Sequence, residues 1–197
     1  MLNITYKINI KQKILKFLIE NKERTFNIYE ISKSLKIDYK LIYINVKKLE
    51  KEKSIEIEDL KSQKRCSFKN NFNEEIFIAE NERRSDYLKK KEFLAIYDKI
   101  KAVNKQFILL LFGSYVKQTA TKNSDIDLIL ISNQEDAKAI EIKLEVLPLK
   151  IHLTPITYEF FIDMVKSKEQ TVVNEALKKN IILFGAEDYY RLIQNAK

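Results

Sequence analysis

The sequence predicts an α+β chain of two modules, on three observations. Apolar residues recur with a helical period through the first fifty positions. Later they gather into short uninterrupted or alternating runs of strand length. The charge is divided unevenly: residues 1–72 carry 17 Lys and Arg against 9 Asp and Glu, whereas residues 73–197 carry 19 of each. All of the net +8 therefore belongs to the first third of the chain. Finally, one of only two glycines stands between an apolar run and a serine in "LLFGSYVKQTATKNSDIDLILIS", where average usage would give about 14 glycines in a chain this long. We read residues 1–72 as a basic domain, 73–104 as a helical connector and 105–197 as a second domain.

In the first module, "KQKILKFLIENK" (residues 11–22) places Ile14, Leu15, Phe17, Leu18 and Ile19 on a broad apolar face, which predicts a helix. "NIYEISKSLKI" follows, with Ile28, Ile31, Leu35 and Ile37 spaced for a second, short helix. In "DYKLIYINVKKLEKEK", Asp38 is a natural N-cap and Ile42, Val46 and Leu49 form the buried stripe of a third. Tyr39, Lys40, Tyr43 and Lys47 fall together about a quarter-turn away, as a basic and aromatic face. "SIEIED" alternates as a strand and "KRCSFKN" returns as another, with Lys61, Lys64 and Arg65 near the tip.

Three helices and a basic hairpin resemble the winged helix-turn-helix family over residues 8–72. The resemblance implies double-stranded DNA as partner, with the third helix in the major groove and the hairpin against the backbone. Tyr39, Lys40, Tyr43, Lys47, Lys61, Lys64 and Arg65 would make those contacts. A protein-contact role for the same surface is the alternative.

Residues 73–104 contain no Gly or Pro and are dense in charge of both signs, which predicts one or two helices, the second packing on the sheet that follows. "FILLLF" (107–112) is a buried strand stopped by Gly113, and Ser114 begins a short helix. "SDIDLILIS" (124–132) is a second strand. Side chains two apart share a face, so Asp125 and Asp127 point together, about 6.6–6.8 Å apart along the strand, while Ile126 and Leu128 face the core. Two such carboxylates repel unless a cation bridges them, and Mg²⁺ takes oxygen ligands that it shares with substrate phosphates. The helix N-terminus after Gly113 offers free N–H groups to phosphate, and a glycine lets phosphate approach closely. The alternative, a capping serine and two surface aspartates, does not explain acids embedded in "IDLILI".

"GSYVKQTATKNSDIDL" resembles the signature of the nucleotidyltransferase superfamily that includes DNA polymerase β, through Gly113, Ser114, Asp125 and Asp127. The likeness extends over residues 90–197. It is greatest to the small nucleotidyltransferase-domain proteins of archaea and bacteria, some of which carry an N-terminal winged helix. It implies a small mixed β-sheet flanked by helices. It also implies transfer of a nucleoside monophosphate, such as AMP, from ATP or another NTP to a protein or nucleic acid, with Mg²⁺ or Mn²⁺ as cofactor. Asp125 and Asp127 would bind metal, and Gly113 and Ser114 the β- and γ-phosphates. Lys117 would neutralise phosphate charge or stand simply solvated. Small relatives act as antitoxins that adenylylate a toxin of the HEPN type, so such a toxin and a second copy of this chain are the expected protein partners.

Active relatives draw a third carboxylate from the neighbouring strand. Here that strand is "LPLKIHLTPIT" (147–157), without Asp or Glu; Glu145 and Glu159 are the nearest acids. His152, the chain's only histidine, lies in it and either serves as a base or packs half-buried. Lys150, His152 and Thr154 share one face of this strand. A nucleotidyltransferase, a winged-helix regulator that binds nucleotide without turnover, and an interaction scaffold are the three functions left open. One cysteine, no apolar run of membrane-spanning length and no signal-like N-terminus predict a reducing cytoplasm and no membrane.

Overall fold

The computed structural model describes residues 9–60, 63–167 and 171–196. Its first helices form where side chains close their ends. α1 (Ile10–Glu20) is capped by Asn9, and α2 (Ile28–Leu35) by a reciprocal box between Asn27 and Glu30. α3 (Tyr39–Lys51) is capped by Asp38, which accepts from the N–H groups of Lys40 (2.9 Å) and Leu41 (3.3 Å). Ile14, Leu15, Leu18, Ile31, Ile42, Val46 and Leu49 are fully buried, so the stripes read from the sequence are the core of this unit. β1 (Ile55–Leu60) and β2 (Gln63–Phe68) pair antiparallel, Ile55 opposite Phe68 and Leu60 opposite Gln63. Cys66 is buried, and burial pushes its thiol up to about 11, with Glu50 adding to the rise and Lys47 opposing it.

The chain divides into two compact units, Met1–Ala79 and Glu80–Lys197, and the division falls inside α4 (Glu74–Tyr87). The division lies within the segment read as a connector, residues 73–104. α4 spans the division, and α5 (Lys91–Ile100) lays Phe93, Ile96 and Ile100 into the core of the second unit.

The second unit continues with β3 (Ile108–Leu111), α6 (Ser114–Lys117), β4 (Ile126–Ile131), α7 (Gln134–Glu145), β5 (Ile151–Ile156), α8 (Tyr158–Lys166), α9 (Val172–Lys178), β6 (Ile181–Phe184) and α10 (Ala186–Asn195). The four strands form one mixed sheet in the order β5-β4-β3-β6. β3 runs antiparallel to both neighbours, while β4 and β5, joined through α7, are parallel. One sheet face sets Leu109, Leu111, Ile126, Leu128 and Leu130 against α5 and against Ile140 and Leu144 of α7. The other carries Ile108, Leu110, Ile129 and Ile131, which are also fully buried. The sequence reading gave this sheet a single core-facing side. Both faces are covered, so Asp127, which shares a face with Ile129 and Ile131, occupies the end of a covered face rather than an open one. None of the described helices is long and apolar enough to cross a membrane.

Candidate functional site

β4 begins at Ile126, leaving Asp125 exposed just before the strand and Asp127 inside it, its side chain 26% exposed. Backbone bonds fix this end of the strand on both sides. Phe112 N–H donates to the Asp127 carbonyl (3.1 Å), and Ile126 N–H to that of Lys150 (2.8 Å). The loop leading into Asp125 is closed on itself: Thr121 N–H donates to Ser124 Oγ (2.9 Å) and Ser124 N–H returns a bond to the Thr121 carbonyl (3.2 Å).

The reason for Gly113 differs from the one read in the sequence. A Cβ at this position would lie 2.2 Å from Asp127 Oδ2 and 3.0 Å from its Cγ. The backbone there has φ 70° and ψ −148°, a region that only glycine enters without strain. Gly113 is thus needed for the aspartate itself to lie against the turn, before any phosphate is considered. Gly113→Ala should cost about 1–3 kcal/mol from the backbone alone, besides displacing the carboxylate. Denaturant titration of the variant measures the first, and loss of nucleotide affinity the second. An alanine variant as stable as the parent would contradict this turn geometry.

His152 stands directly opposite Asp127 in the parallel ladder, with Nδ1 3.3 Å from Asp127 Oδ1. Its side chain is 67% exposed, so it is not a packing residue. Lys117 is ion-paired with Glu175 of α9. Glu175 escaped the sequence reading because it lies 58 positions from Lys117 in a segment given no role. Glu145 and Glu159 form no cluster with the aspartates: among the described residues, no group of three or more His, Cys, Asp or Glu side chains is gathered closely enough to hold a metal ion.

In the first unit, Tyr39, Lys40 and Tyr43 of α3 are exposed, and Leu41 and Ile44 are exposed with them. Lys47 is half-buried and bonded to Glu50 (2.6 Å). The hairpin is less basic than expected, because acids oppose its cations across the strands. Lys64 pairs with Asp59 (3.4 Å), and Arg65 is turned to the start of α2, donating to Thr25 Oγ1 (2.7 Å) and the Thr25 carbonyl (2.8 Å), with Glu30 at 3.5 Å. Lys61 lies outside the described residues.

The family model described as polymerase beta, nucleotidyltransferase matches residues 88–189, more than half of the chain and all of the strands and turns just described around Asp127. The chain belongs to the polymerase beta nucleotidyltransferase family. Comparison with curated proteins and with solved structures finds no match. Domains of the polymerase beta nucleotidyltransferase family generally use a nucleoside triphosphate and a divalent metal ion. Asp125 and Asp127 are the side chains here that could hold such an ion. Two carboxylates supply hard oxygen ligands, the number Mg²⁺ commonly takes from protein when phosphates and water complete its shell. A second ion finds no third carboxylate in β5.

Proposed function

We propose that this chain transfers a nucleoside monophosphate, AMP in the first instance, from a Mg²⁺- or Mn²⁺-bound triphosphate to a protein or nucleic-acid acceptor. The carrying observation is the junction of Asp127, the Gly113 turn and His152 within the family-matched domain. In this reading Asp125 and Asp127 hold the ion, and Gly113 and Ser114 receive the β- and γ-phosphates. A bound ion would supply charge neutralisation of the triphosphate and activation of the attacking group. In the tautomer that donates Nδ1–H to Asp127 Oδ1, His152 keeps Nε2 as the acceptor for a proton from the incoming hydroxyl. Lys117 reaches phosphate only by leaving Glu175.

That no third carboxylate gathers with the aspartates among the described residues favours a second reading, a regulator that binds nucleotide without turnover. Incubating the purified chain with α-³²P-labelled NTPs and Mg²⁺ or Mn²⁺ separates the two. Label on the chain, a nucleic acid or an added partner supports transfer, whereas saturable binding with no transfer supports the regulator. The resemblance to small antitoxins makes a HEPN-type toxin the first partner to add, and a second copy of this chain the other.

The basic first unit is proposed as a winged helix-turn-helix that binds double-stranded DNA through α3. Its support is the local charge excess and the exposure of Tyr39, Lys40 and Tyr43. Since Lys64 and Arg65 are already engaged, α3 carries most of the expected contact. Lys40→Ala in the full chain should lower the slope of log affinity against log salt by about 1. A slope unchanged from the parent would remove Lys40 from the interface.

A further inference from the structure

We propose that Ile44 meets a thymine methyl group in the major groove, so that the first unit selects its DNA sites by apolar contact on α3 rather than by hydrogen bonds to base edges. The inference rests on the DNA-binding reading above and deepens it. α3 buries one side completely, through Ile42, Val46 and Leu49. Ile44 stands on the other side, 41% exposed. Residues three and four apart are neighbours on a helix surface. For Ile44 these are Lys40 and Leu41 one turn before it, and Lys47 and Lys48 one turn after. Lys40, Leu41 and Lys48 are exposed as well. Single exposed apolar residues are ordinary, but here two adjoin, Ile44 and Leu41, inside a rim of lysines.

That surface suits an anionic partner, because the acids beside it are engaged. Asp38 accepts from the N–H groups of Lys40 and Leu41, and Glu50 is bonded to Lys47. A lipid surface fits poorly. Membrane-bound amphipathic helices lay their main apolar face into the bilayer, and in α3 that face is the buried one. The major groove fits better. Arg or Lys there reads guanine, Asn or Gln reads adenine, and apolar side chains meet the thymine methyl. α3 contains neither Arg nor Gln. Its one amide, Asn45, donates Nδ2–H to the Leu41 carbonyl (2.8 Å). Lys40 and Lys48 are placed to hold phosphates on either side of the groove. Ile44 and Leu41, between them, can add sequence discrimination only through a methyl group.

The test enriches sites from a random duplex library with the full chain, then replaces each thymine of the enriched site by deoxyuridine. This deletes the C5 methyl and leaves the pairing edge intact. At one or more thymines the wild type should lose affinity about fourfold, the worth of one buried methyl group. Ile44→Ala should bind the parent site more weakly and show no deoxyuridine penalty at such a thymine. Its salt slope should match the wild type's, since no phosphate contact is removed. Lys40→Ala should do the reverse, lowering the slope and keeping the penalty. Circular dichroism verifies that each variant is folded. Duplex binding without enrichment of any site, an enriched site with no deoxyuridine penalty, or a penalty that folded Ile44→Ala retains would each overturn the inference while leaving DNA binding in place. No duplex binding at low salt, with capture of anionic vesicles or of an acidic protein instead, would overturn the DNA reading and the inference with it.

Discussion

Arg83→Met is expected to destabilise the second unit by about 3–5 kcal/mol, the usual cost of removing one partner from a buried ion pair. Arg83 and Glu80 are 2% and 1% exposed. The Arg83 guanidinium donates to Glu80 and, through Nη2, to the Asn180 carbonyl (2.7 Å). The Tyr190 hydroxyl donates to the other Glu80 oxygen (2.6 Å), and the Asn180 amide donates to the Tyr189 hydroxyl (3.1 Å). Burial holds both tyrosine phenols above their ordinary range, with Glu80 raising that of Tyr190 further. Without Arg83, the Glu80 carboxylate is left in an apolar interior with tyrosine as its remaining donor and must either stay charged at great cost or take up a proton. Hydrogen exchange at Ile108–Leu111, the central strand, reports the opening free energy of this unit separately from the first. The double variant Glu80→Gln, Arg83→Met should recover a good part of the loss, since no uncompensated charge then remains. A loss under about 1 kcal/mol for Arg83→Met alone would mean the pair behaves as a surface salt bridge.

The second large effect has the opposite character. Asp125→Asn combined with Asp127→Asn should abolish metal-dependent nucleotide binding and leave stability unchanged or slightly higher. Both proposed charged ligands disappear, so affinity should fall by more than the 10–100-fold that follows loss of a mere outer-shell partner. The two carboxylates repel while no ion is bound, and removing them relieves that repulsion. Calorimetric titration with Mg-ATP and thermal melting of the same samples measure the two effects together. Equal nucleotide affinity in the double variant would remove these aspartates from any metal site. A large drop in melting temperature would make Asp127 a structural residue of the Gly113 turn instead.

Much of the backbone was legible because short-range signals agreed with one another. Asn27 with Glu30, and Asp38 before an apolar stripe, mark helix starts by chemistry that lies within a few residues. The uninterrupted apolar runs placed β3 and β4 to within two residues. What escaped depended on partners distant in the chain. "AENERRSD" reads only as part of a helix dense in charge, yet Arg83 is buried and donates to a carbonyl 97 positions on. Lys64 and Arg65 read as free cations, and only the hairpin register and the path of α2 supply their partners. At the site, the motif located the two aspartates and the glycine but could not give their mutual arrangement. That Gly113 accommodates a carboxylate, and that His152 is its ladder partner, are facts of register between β4 and β5. A one-residue slip would have turned His152 to the other face.

The order β5-β4-β3-β6 also bears on how the chain is made. β3 is an inner strand, yet one of its two neighbours, β6, lies some seventy positions downstream. During synthesis the apolar segment Ile108–Leu111 must therefore wait, with one ladder edge unsatisfied, until Ile181–Phe184 has left the ribosome. At 5–20 residues per second, that interval is roughly 4–14 s, far longer than the microseconds in which a hairpin closes. Throughout it the nascent chain presents an open apolar strand edge that any other extended segment can join. Slower translation or a higher temperature would lengthen or aggravate that exposure, so soluble yield should depend on the pace of synthesis and on chaperone supply more steeply than the stability of the finished fold would imply.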